Sequence, residues 1–365
     1  MSAEKDCEIA IDGMKPLHAP TNEKVVISID KPRLWTPDDP QLYWFTVRAG
    51  KDSVRSYFAL RTIEEKEGRI LLNGNPVFLN GVLDQGYFAD GIFLPGESAE
   101  YERDVLRMKE LGFNLLRKHI KVEPEAFYYA CDRLGMLVMQ DMVNNGGYNF
   151  LLDTALPTIG LKWRPDTLPW GKAARETFLS HSLATAGHLR NHPCIVMWTI
   201  FNEGWGQTHA DDMYLRLKDE DPTRLWDATS GWFAQKLSDM QSEHVYFRNK
   251  KLRARGARPL LLSECGGYTR TIPGHLYKPD ARYGYGAAET EEALTAKFAQ
   301  MYREMVLPSI ADGLCGAIYT QLSDVEEEIN GLYTYDRAVC KVNKKEMRAI
   351  LQEACAELEK VVRKK

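Results

Sequence analysis

The sequence has neither a disulfide framework nor a metal-binding cysteine pattern. Its 365 residues contain seven cysteines, which is an odd number, and no two of them form a CxxC pair. Several cysteines lie inside apolar segments, where a thiol behaves as a small hydrophobic group. This pattern argues against a small disulfide-stapled scaffold and a zinc module. It predicts a reduced, cytoplasmic chain without a metal or another cofactor.

Long apolar runs and blocks of like charge are also missing. No apolar run approaches eighteen residues, and the first residues show no apolar signal region. The 47 basic and 51 acidic residues nearly cancel, to a net charge of −4, so nucleic acid and anionic membranes are poor partners. GxGxxG, Walker, HExxH and GxSxG motifs are absent. These absences argue against a membrane protein and several common enzyme classes.

The beginning of the chain carries strand signals only. Residues 25–29, 42–47 and 54–60 have strand composition, and the last two flank a turn at 49–53. Three or four strands are too few to close a sandwich. Residues 1–63 are therefore predicted to be part of an immunoglobulin-like β-sandwich, with a linker at 64–68.

Residues 64–365 alternate apolar strands with amphipathic helices, the pattern of a parallel sheet with crossover helices. Strands are predicted at 77–83, 113–118, 136–140, 195–201, 224–229, 243–247, 259–263 and 316–322. Helices are predicted at 98–111, 123–134, 170–190, 208–219, 289–308 and 343–363. The basic interval 248–258 gives no clear helix, and 144–170 is predicted to be a long loop. Eight such strands predict an α/β fold, a (β/α)8 TIM barrel.

Two predicted strands end in a glutamate that is followed by glycine or cysteine and glycine. Strand 195–201 leads into Asn202 and Glu203, and strand 259–263 leads into Glu264. A carboxylate beside a buried strand costs free energy unless it is paired or functional. Catalytic residues of a barrel lie at the carboxyl ends of its strands. A single glutamate could simply cap a helix, but two on opposed strands predict a carboxylate pair for glycoside hydrolysis.

Several motifs resemble those of a known enzyme family. They are residues 75–81, 112–117, 131–141, the Asn-His-Pro…Trp…Asn-Glu motif at 191–203, and Glu264 with its two nearby glycines. With these motifs the chain resembles glycoside hydrolase family 2, the group of β-galactosidases, β-glucuronidases and β-mannosidases. The resemblance extends over nearly all of the chain from Trp35 onward. It implies that Glu203 is the general acid/base and Glu264 the nucleophile. A retaining reaction needs their carboxyl groups roughly 5–5.5 Å apart.

The resemblance also implies residues that support the carboxylates. Tyr246 matches the tyrosine that hydrogen-bonds the nucleophile in the family, although a buried packing role is the alternative. Asn202 matches the asparagine that contacts the sugar 2-hydroxyl. Arg117 ends a buried strand, where an unpaired charge is costly, so we expect it to face the site and, with Tyr246, to hydrogen-bond Glu264.

Four further residues complete the candidate set for substrate binding. Asp84 either contacts a sugar hydroxyl or caps its loop. His119 and His244 either face the ligand or are structural histidines, and the Arg-x-His spacing at His119 is one residue shorter than the family's usual spacing. Tyr319 stands where the family often has a tryptophan, so we expect an altered sugar platform.

The two glutamates, together with the resemblance, imply a retaining exo-β-glycosidase, with β-galactosides as the leading substrates. The glucuronidase-type Asn-x-Lys motif is absent, because residues 330–333 are Asn-Gly-Leu-Tyr. Glucuronidase or mannosidase specificity remains an alternative. So does a non-catalytic sugar-binding barrel, because the resemblance leads us to expect that the chain lacks the family's first domain and part of its second. The expected partner is a carbohydrate, with homo-oligomerisation left open. Residues 1–63 are expected to be loosely held or paired with another chain.

Overall fold

The structure is a computed structural model that describes residues 6–143, 149–151, 155–161, 166 and 171–364. It contains a four-stranded antiparallel sheet, a three-stranded antiparallel sheet and an eight-stranded parallel sheet, in that order along the chain. Most of the long loop predicted at 144–170 lies outside the described residues. None of the helices in the described ranges combines the length and the apolar character that a membrane crossing requires.

The first sheet contains two strands that the sequence analysis missed and lacks one that it predicted. Strands β1 to β4 span Asp6–Ile11, Leu17–Pro20, Tyr43–Ala49 and Asp52–Phe58, in the order β2-β1-β3-β4. The predicted turn between β3 and β4 is confirmed. The strand predicted at 25–29 is wrong. Val25, Ile27 and Ile29 do line one apolar cavity, and Val26 is 83% exposed. The composition that suggested a strand therefore belongs to residues that line this cavity without forming a strand.

The second sheet occupies the segment predicted to be a linker, so that prediction is wrong. Strands β5 to β7 span Ile63–Lys66, Arg69–Leu72 and Asn75–Pro76. Glu67 and Gly68 both have positive φ, which allows the tight turn that suits a two-residue hairpin. Ile63 and Leu72 are buried, whereas the charged residues 64–67 are exposed. A run of charges that resembles a linker is therefore the solvent face of a hairpin.

The third sheet is the predicted barrel. Strands β8 to β15 span Leu79–Asp84, Leu115–Lys118, Leu137–Asp141, Ile195–Asn202, Leu225–Ser230, Gln241–Val245, Leu260–Gly266 and Leu314–Thr320. Their order is β12-β11-β10-β9-β8-β15-β14-β13, and each neighbouring pair is parallel. The first and last strands in this order, β12 and β13, are joined through side chains. Ser242 of β13 donates to Asp227 of β12, and Ser230 of β12 bonds His244 of β13 at 3.1 Å. The (β/α)8 prediction is confirmed.

Helices surround the barrel with one irregular element. Helices α1 to α8 span Ala99–Leu111, Glu125–Leu134, Leu156–Thr158, Lys172–Leu189, Ala210–Glu220, Glu291–Met301, Leu307–Ile310 and Lys344–Arg363. The helix predicted at 289–308 is divided by a π segment at Tyr302–Val306. Pro308 follows that segment and has no N–H to donate, which explains the change in hydrogen bonding. As the sequence indicated, residues 246–259 form no helix.

The first sheet packs against the end of the barrel where the strands begin. Tyr57 of β4 donates a hydrogen bond to Asp132 at 2.8 Å, and Trp35 donates to the Asp132 carbonyl at the same distance. His192, just before β11, lies 2.6 Å from the Asp132 carboxylate. Arg61 donates to the carbonyl of Pro193 at 3.0 Å. The carboxyl ends of the strands therefore remain uncovered by this sheet.

Candidate active site

Glu203 and Glu264 come together at the carboxyl ends of β11 and β14. One carboxylate oxygen of each, and a ring nitrogen of His244, all lie within 4.8 Å of one another. Glu264 lies within β14 and is 6% exposed, whereas the side chain of Glu203 is 18% exposed. Glu203 has a φ of 51°, followed by Gly204 at 76°. A left-handed residue costs roughly 1–2 kcal/mol, and such strain clusters at functional positions.

Arg117, at the end of β9, is the cation of the site and is completely buried. Its Nε and Nη2 donate to the two oxygens of Asp141 at 3.1 and 3.0 Å. Its Nη1 donates to Glu264 Oε1 and to the carbonyl of Ser263, both at 3.0 Å, and Nη2 also reaches Asn202 Oδ1 at 2.8 Å. A guanidinium has five N–H donors, so every donor is used. Arg117 thus fixes the positions of three side chains.

Asp141, at the end of β10, is a site residue that the sequence analysis missed. It accepts from Arg117 and lies 2.8 Å from His119 Nδ1. Burial alone would raise the pKa of Asp141, but Arg117 and His119 outweigh burial and lower that pKa. The signal was present, because Asp141 follows an apolar strand in the same way as Glu203 and Glu264. His119, for which the sequence leaves a ligand-facing and a structural role both open, contacts Asp141, and no hydrogen bond within the described part of the chain joins it to either of the two glutamates.

Tyr246 lies just after β13 and donates a hydrogen bond to Glu264 Oε2. Its hydroxyl also lies 3.1 Å from Thr320 Oγ1, at the end of β15, and its ring centroid is 4.5 Å from that of Tyr285. Burial, and then the charges of Glu264 and Glu203, raise the pKa of Tyr246 well above its ordinary value. Tyr246 therefore stays a protonated hydrogen-bond donor at neutral pH.

His244 lies between the two glutamates. Its Nδ1 is 2.8 Å from Glu203 Oε1 and 3.5 Å from Glu264 Oε2, and its Nε2 is 3.1 Å from Ser230 Oγ. Ser230 donates to Ser263 Oγ at 2.9 Å. Since the Ser230 proton points to Ser263, Ser230 accepts from Nε2–H of His244. In a neutral imidazole with this tautomer, Nδ1 is an acceptor.

The structure does not bring Asp84 and Tyr319 to the carboxylates, because no hydrogen bond or ring contact among the described residues joins either to Glu203 or Glu264. Asp84 accepts from the Gly86 N–H at 2.8 Å and from Lys118 at 2.6 Å, which corresponds to the loop-cap role. Tyr319 is buried, and its ring centroid lies 5.2 Å from that of Phe298 on α6. Side chains alternate along a strand, so Tyr319 faces the helices while Thr320 reaches Tyr246.

The described residues contain one group with the donor atoms of a metal site, formed by Glu203, His244 and Glu264. These donors fit a cation poorly. Both Glu264 oxygens already accept hydrogen bonds, and the Arg117 guanidinium lies 3.0 Å from one of them. A metal ion would meet this positive charge at close range. The site instead holds two carboxylates in different surroundings, and glycoside hydrolysis commonly uses such a pair.

Comparison with known proteins identifies the family. The model described as "Glycosyl hydrolases family 2, TIM barrel domain" matches residues 63–338, and the model "Glycosyl hydrolases family 2" matches residues 6–61. A parallel barrel with two carboxylates at the carboxyl ends of its strands is typical of the glycoside hydrolase class. Within that class, the chain belongs to glycoside hydrolase family 2.

Individual relatives match part of the chain and carry different names. A putative β-glucuronidase of Formosa agariphila is 29% identical over 227 residues, covering 58% of this chain and 20% of the relative. A β-galactosidase of Enterobacter cloacae is 31% identical over 207 residues, covering 55% of this chain and 19% of the relative. The chain therefore matches about a fifth of the length of these curated relatives.

Solved structures share the fold at low identity. A family 2 β-galacturonidase from Eisenbergiella tayi, bound to galacturonate, has a TM-score of 0.67 at 17% identity. The match covers 97% of this chain and 66% of the β-galacturonidase chain. A β-glucuronidase from Parabacteroides merdae has a TM-score of 0.67 at 16% identity, and the match covers 96% of this chain and 50% of the β-glucuronidase chain. At these identities the likeness shows the fold alone.

Proposed function

We propose that this chain is a retaining exo-β-glycosidase in which Glu264 is the nucleophile and Glu203 is the general acid/base. The observation that carries the proposal is the approach of their carboxylate oxygens to within 4.8 Å. A retaining reaction uses a short separation, because one carboxylate attacks the anomeric carbon directly. An inverting reaction needs about 6.5–9.5 Å to admit a water molecule between them.

The surroundings of the two glutamates support the assignment of roles. Glu264 accepts from the buried Arg117 cation and from Tyr246, and these two partners hold its oxygens in a fixed position, which direct attack on the anomeric carbon requires. Glu203 instead lies beside Nδ1 of His244. With Nε2 donating to Ser230, a neutral Nδ1 accepts a hydrogen bond, so it suits a protonated carboxyl group. That proton is the one a general acid gives away.

The reaction would then proceed in two balanced steps. Glu203 donates its proton to the glycosidic oxygen while the bond to the anomeric carbon breaks and a Glu264 oxygen bonds that carbon. In the second step, water gives a proton to Glu203 and attacks the same carbon, and the bond to Glu264 breaks. The sugar leaves with its original anomeric configuration, and both glutamates return to their starting forms.

For the sugar itself, we propose β-galactosides as the first substrates to assay. The relative from Enterobacter cloacae, 31% identical in the matched region, is named a β-galactosidase. The named β-glucuronidases and β-galacturonidase among the relatives and fold neighbours make uronides the second class. β-Mannosides form the third class of the same panel. A barrel that binds sugar without catalysis would release no product from any of the three.

The experiment that tests the proposal uses azide as an external nucleophile. With an activated aryl β-glycoside, the Glu203→Ala variant should still form the glycosyl-enzyme. Azide needs no base, so it should release the β-glycosyl azide. The Glu264→Ala variant should give only the α-glycosyl azide, because azide attacks from the open face. NMR of the products distinguishes the two anomers.

A matched control keeps the result specific. Glu220→Gln, at the exposed end of α5, should match the unmodified chain. Reversed azide stereochemistry would reverse the two roles, and normal turnover by both alanine variants would end the proposal.

A further inference from the structure

A cavity of about 350 Å³ opens at the carboxyl ends of β8 and β15. It is lined by Gln85, Tyr87, Tyr283, Val325, Glu326, Glu327 and Glu328. Gln85 directly follows β8, and Gln321, whose amide reaches this wall, directly follows β15. The cavity therefore lies at the end of the barrel that carries the two catalytic glutamates.

Glu328 is held in this wall by neutral groups. Gln85 Nε2 donates to Glu328 Oε2 at 2.9 Å, and Gln321 Nε2 donates to the same oxygen at 2.8 Å. Gln85 also donates to Gln321 Oε1 at 2.9 Å, which locks both amides. The backbone of Glu328 exchanges two hydrogen bonds with Val325, at 2.9 and 3.0 Å. A fixed carboxylate thus stands on the wall, and within the described ranges no ion pair neutralises it.

The neighbouring Glu327 provides a contrast in the same wall. Its side chain is about half exposed and forms an ion pair with Lys278. A solvated and paired carboxylate has little effect on a ligand a few ångströms away, because water and the counter-ion screen it. Of these two adjacent glutamates, Glu328 therefore has the stronger field inside the cavity.

Two routes connect the wall with the nucleophile. Thr320 precedes Gln321 and bonds the hydroxyl of Tyr246, which itself donates to Glu264. On the other side, the hydroxyl of Tyr283 lies 3.5 Å from that of Tyr285, whose ring packs on Tyr246.

The charges of the site and the wall also act on each other. Burial is the largest cause that raises the pKa of Glu328. The charge of Glu264 raises it further, while Gln321, Gln85 and His119 oppose the rise. The ionisation of Glu328 on the wall is therefore coupled to the charge of Glu264.

We propose that Glu328 sets the charge selectivity of the sugar pocket, accepting hydrogen bonds from hydroxyls of uncharged hexosides and repelling hexuronides. This inference rests on the proposed glycosidase function. A hexuronide carries a carboxylate where the hexoside has a hydroxymethyl group. Two carboxylates in a partly desolvated pocket repel each other strongly. Selectivity against one class of ligand is commonly built from such a repulsive contact.

The test compares substrates that differ only at that group, an aryl β-galactoside and the corresponding β-galacturonide, with a glucoside and glucuronide pair alongside. The unmodified chain should prefer the uncharged member of a pair. Glu328→Gln should raise the ratio of kcat/KM for uronide over hexoside by about tenfold or more, because the amide keeps the shape and removes the charge. Glu327→Gln, which removes the same charge from the same wall, should change the ratio less than about twofold.

The pH dependence of that ratio supplies a readout that a purely structural role would not move. A sugar carboxyl group has a pKa of about 3.5, like an α-carboxyl group, so the substrate stays anionic between pH 5 and pH 8. As the pH falls, Glu328 becomes protonated, and the ratio for the unmodified chain should rise. It should stay flat in Glu328→Gln, since both substrates share the catalytic groups. A ratio that is unchanged by Glu328→Gln, or moved equally by Glu327→Gln, would overturn the inference.

Failure of the proposed function is distinguishable from failure of this inference. If the unmodified chain turns over no glycoside, the proposed function fails, and ligand-observed NMR can still compare binding of galactose and galacturonate. Glu328→Gln should then improve galacturonate binding by about tenfold relative to galactose. Equal binding changes for both sugars would overturn the role of Glu328.

Discussion

Nη1 of Arg117 lies 3.0 Å from Oε1 of Glu264, and the guanidinium is completely buried. A buried charge is costly without partners, and here the partners include the carboxylate proposed as the nucleophile. Burial alone would lower the pKa of Arg117, but Asp141 and Glu264 outweigh burial and raise it. The cation therefore stays charged across the working pH range and offsets the negative charge of Asp141 and Glu264.

Replacement of Arg117 should separate charge from shape. Arg117→Met leaves Asp141 and Glu264 without their cation, so the free energy of unfolding should fall by about 3–5 kcal/mol. Arg117→Lys keeps the charge but loses the planar fork, so it should be more stable than Arg117→Met yet still lose about 100-fold or more in kcat/KM. Urea unfolding and kinetics below the transition measure both. A surface control, Arg103→Met, breaks an exposed ion pair with Glu100, and equal stability of the Arg103 and Arg117 methionine variants would contradict the prediction.

Tyr246→Phe should reduce turnover with little change in folding. The variant keeps the ring that packs on Tyr285 and removes the hydrogen bond to Glu264. A hydrogen bond to a charged group contributes about 1.5–3 kcal/mol, so kcat for an aryl glycoside should fall by about 10–100-fold. Tyr285→Phe is the matched control and should retain more activity. Because the pKa of Tyr246 is raised well above its ordinary value, Tyr246 does not lose its proton between pH 7 and pH 9. Any loss of activity of the unmodified chain in this range should therefore also occur in Tyr246→Phe. If the activity of Tyr246→Phe did not fall in this pH range, ionisation of Tyr246 would be the cause of the loss in the unmodified chain, which would contradict the prediction.

Asp227, in β12, should make the stability depend on pH. Burial, opposed by Ser242 and Arg117, raises the pKa of Asp227 from 3.8 to about 6. The folded state thus binds this proton more tightly than the unfolded state. The resulting stabilisation is complete below pH 3.8 and is lost as the pH rises through about 6, a difference of about 3 kcal/mol. Asp227→Asn should remove this contribution. Unfolding midpoints in urea at pH 5 and pH 8 should differ less in the variant than in the unmodified chain, and parallel profiles would contradict the assignment.

Tyr57→Phe should loosen the N-terminal sheet without affecting the barrel. The hydroxyl of Tyr57 donates to the buried Asp132, and loss of such a bond costs about 1–3 kcal/mol. Hydrogen exchange should become faster in β3 and β4 and stay unchanged in β11 and β14. Tyr43→Phe removes an exposed hydroxyl of the same sheet and should have a smaller effect. Uniform loss of protection over the whole chain would show that the sheet and the barrel unfold together.

The barrel could be predicted because its strands are long apolar runs separated by amphipathic helices. The same buried-strand signal located Glu203, Glu264 and Arg117, which the structure brings together with Tyr246. It would also have located Asp141, had every polar residue at a strand end been considered.

Other features depend on contacts that a pattern does not contain. Residues 25–29 have the composition of a strand, yet they line a cavity without forming one, whereas the short strands β1 and β2 pair although the sequence analysis did not predict them. Tyr319 and Thr320 are adjacent, and only the register of β15 decides which one faces the site. The carboxylate of Glu328 accepts from Gln321, seven residues earlier in the chain, and from Gln85, 243 residues earlier, and no sequence pattern indicates that both amides meet it.

The attachment of the first sheet at the amino-terminal end of the barrel gives the molecule a natural orientation for immobilisation. Val54 lies on the outer strand β4 and is 63% exposed, while the seven native cysteines are buried or half-buried. A cysteine introduced by Val54→Cys would therefore be the most accessible thiol for coupling to a solid support. Molecules tethered in this way would present the two glutamates toward the flowing solution, so a packed column would leave the proposed active site open to a glycoside supplied in the flow.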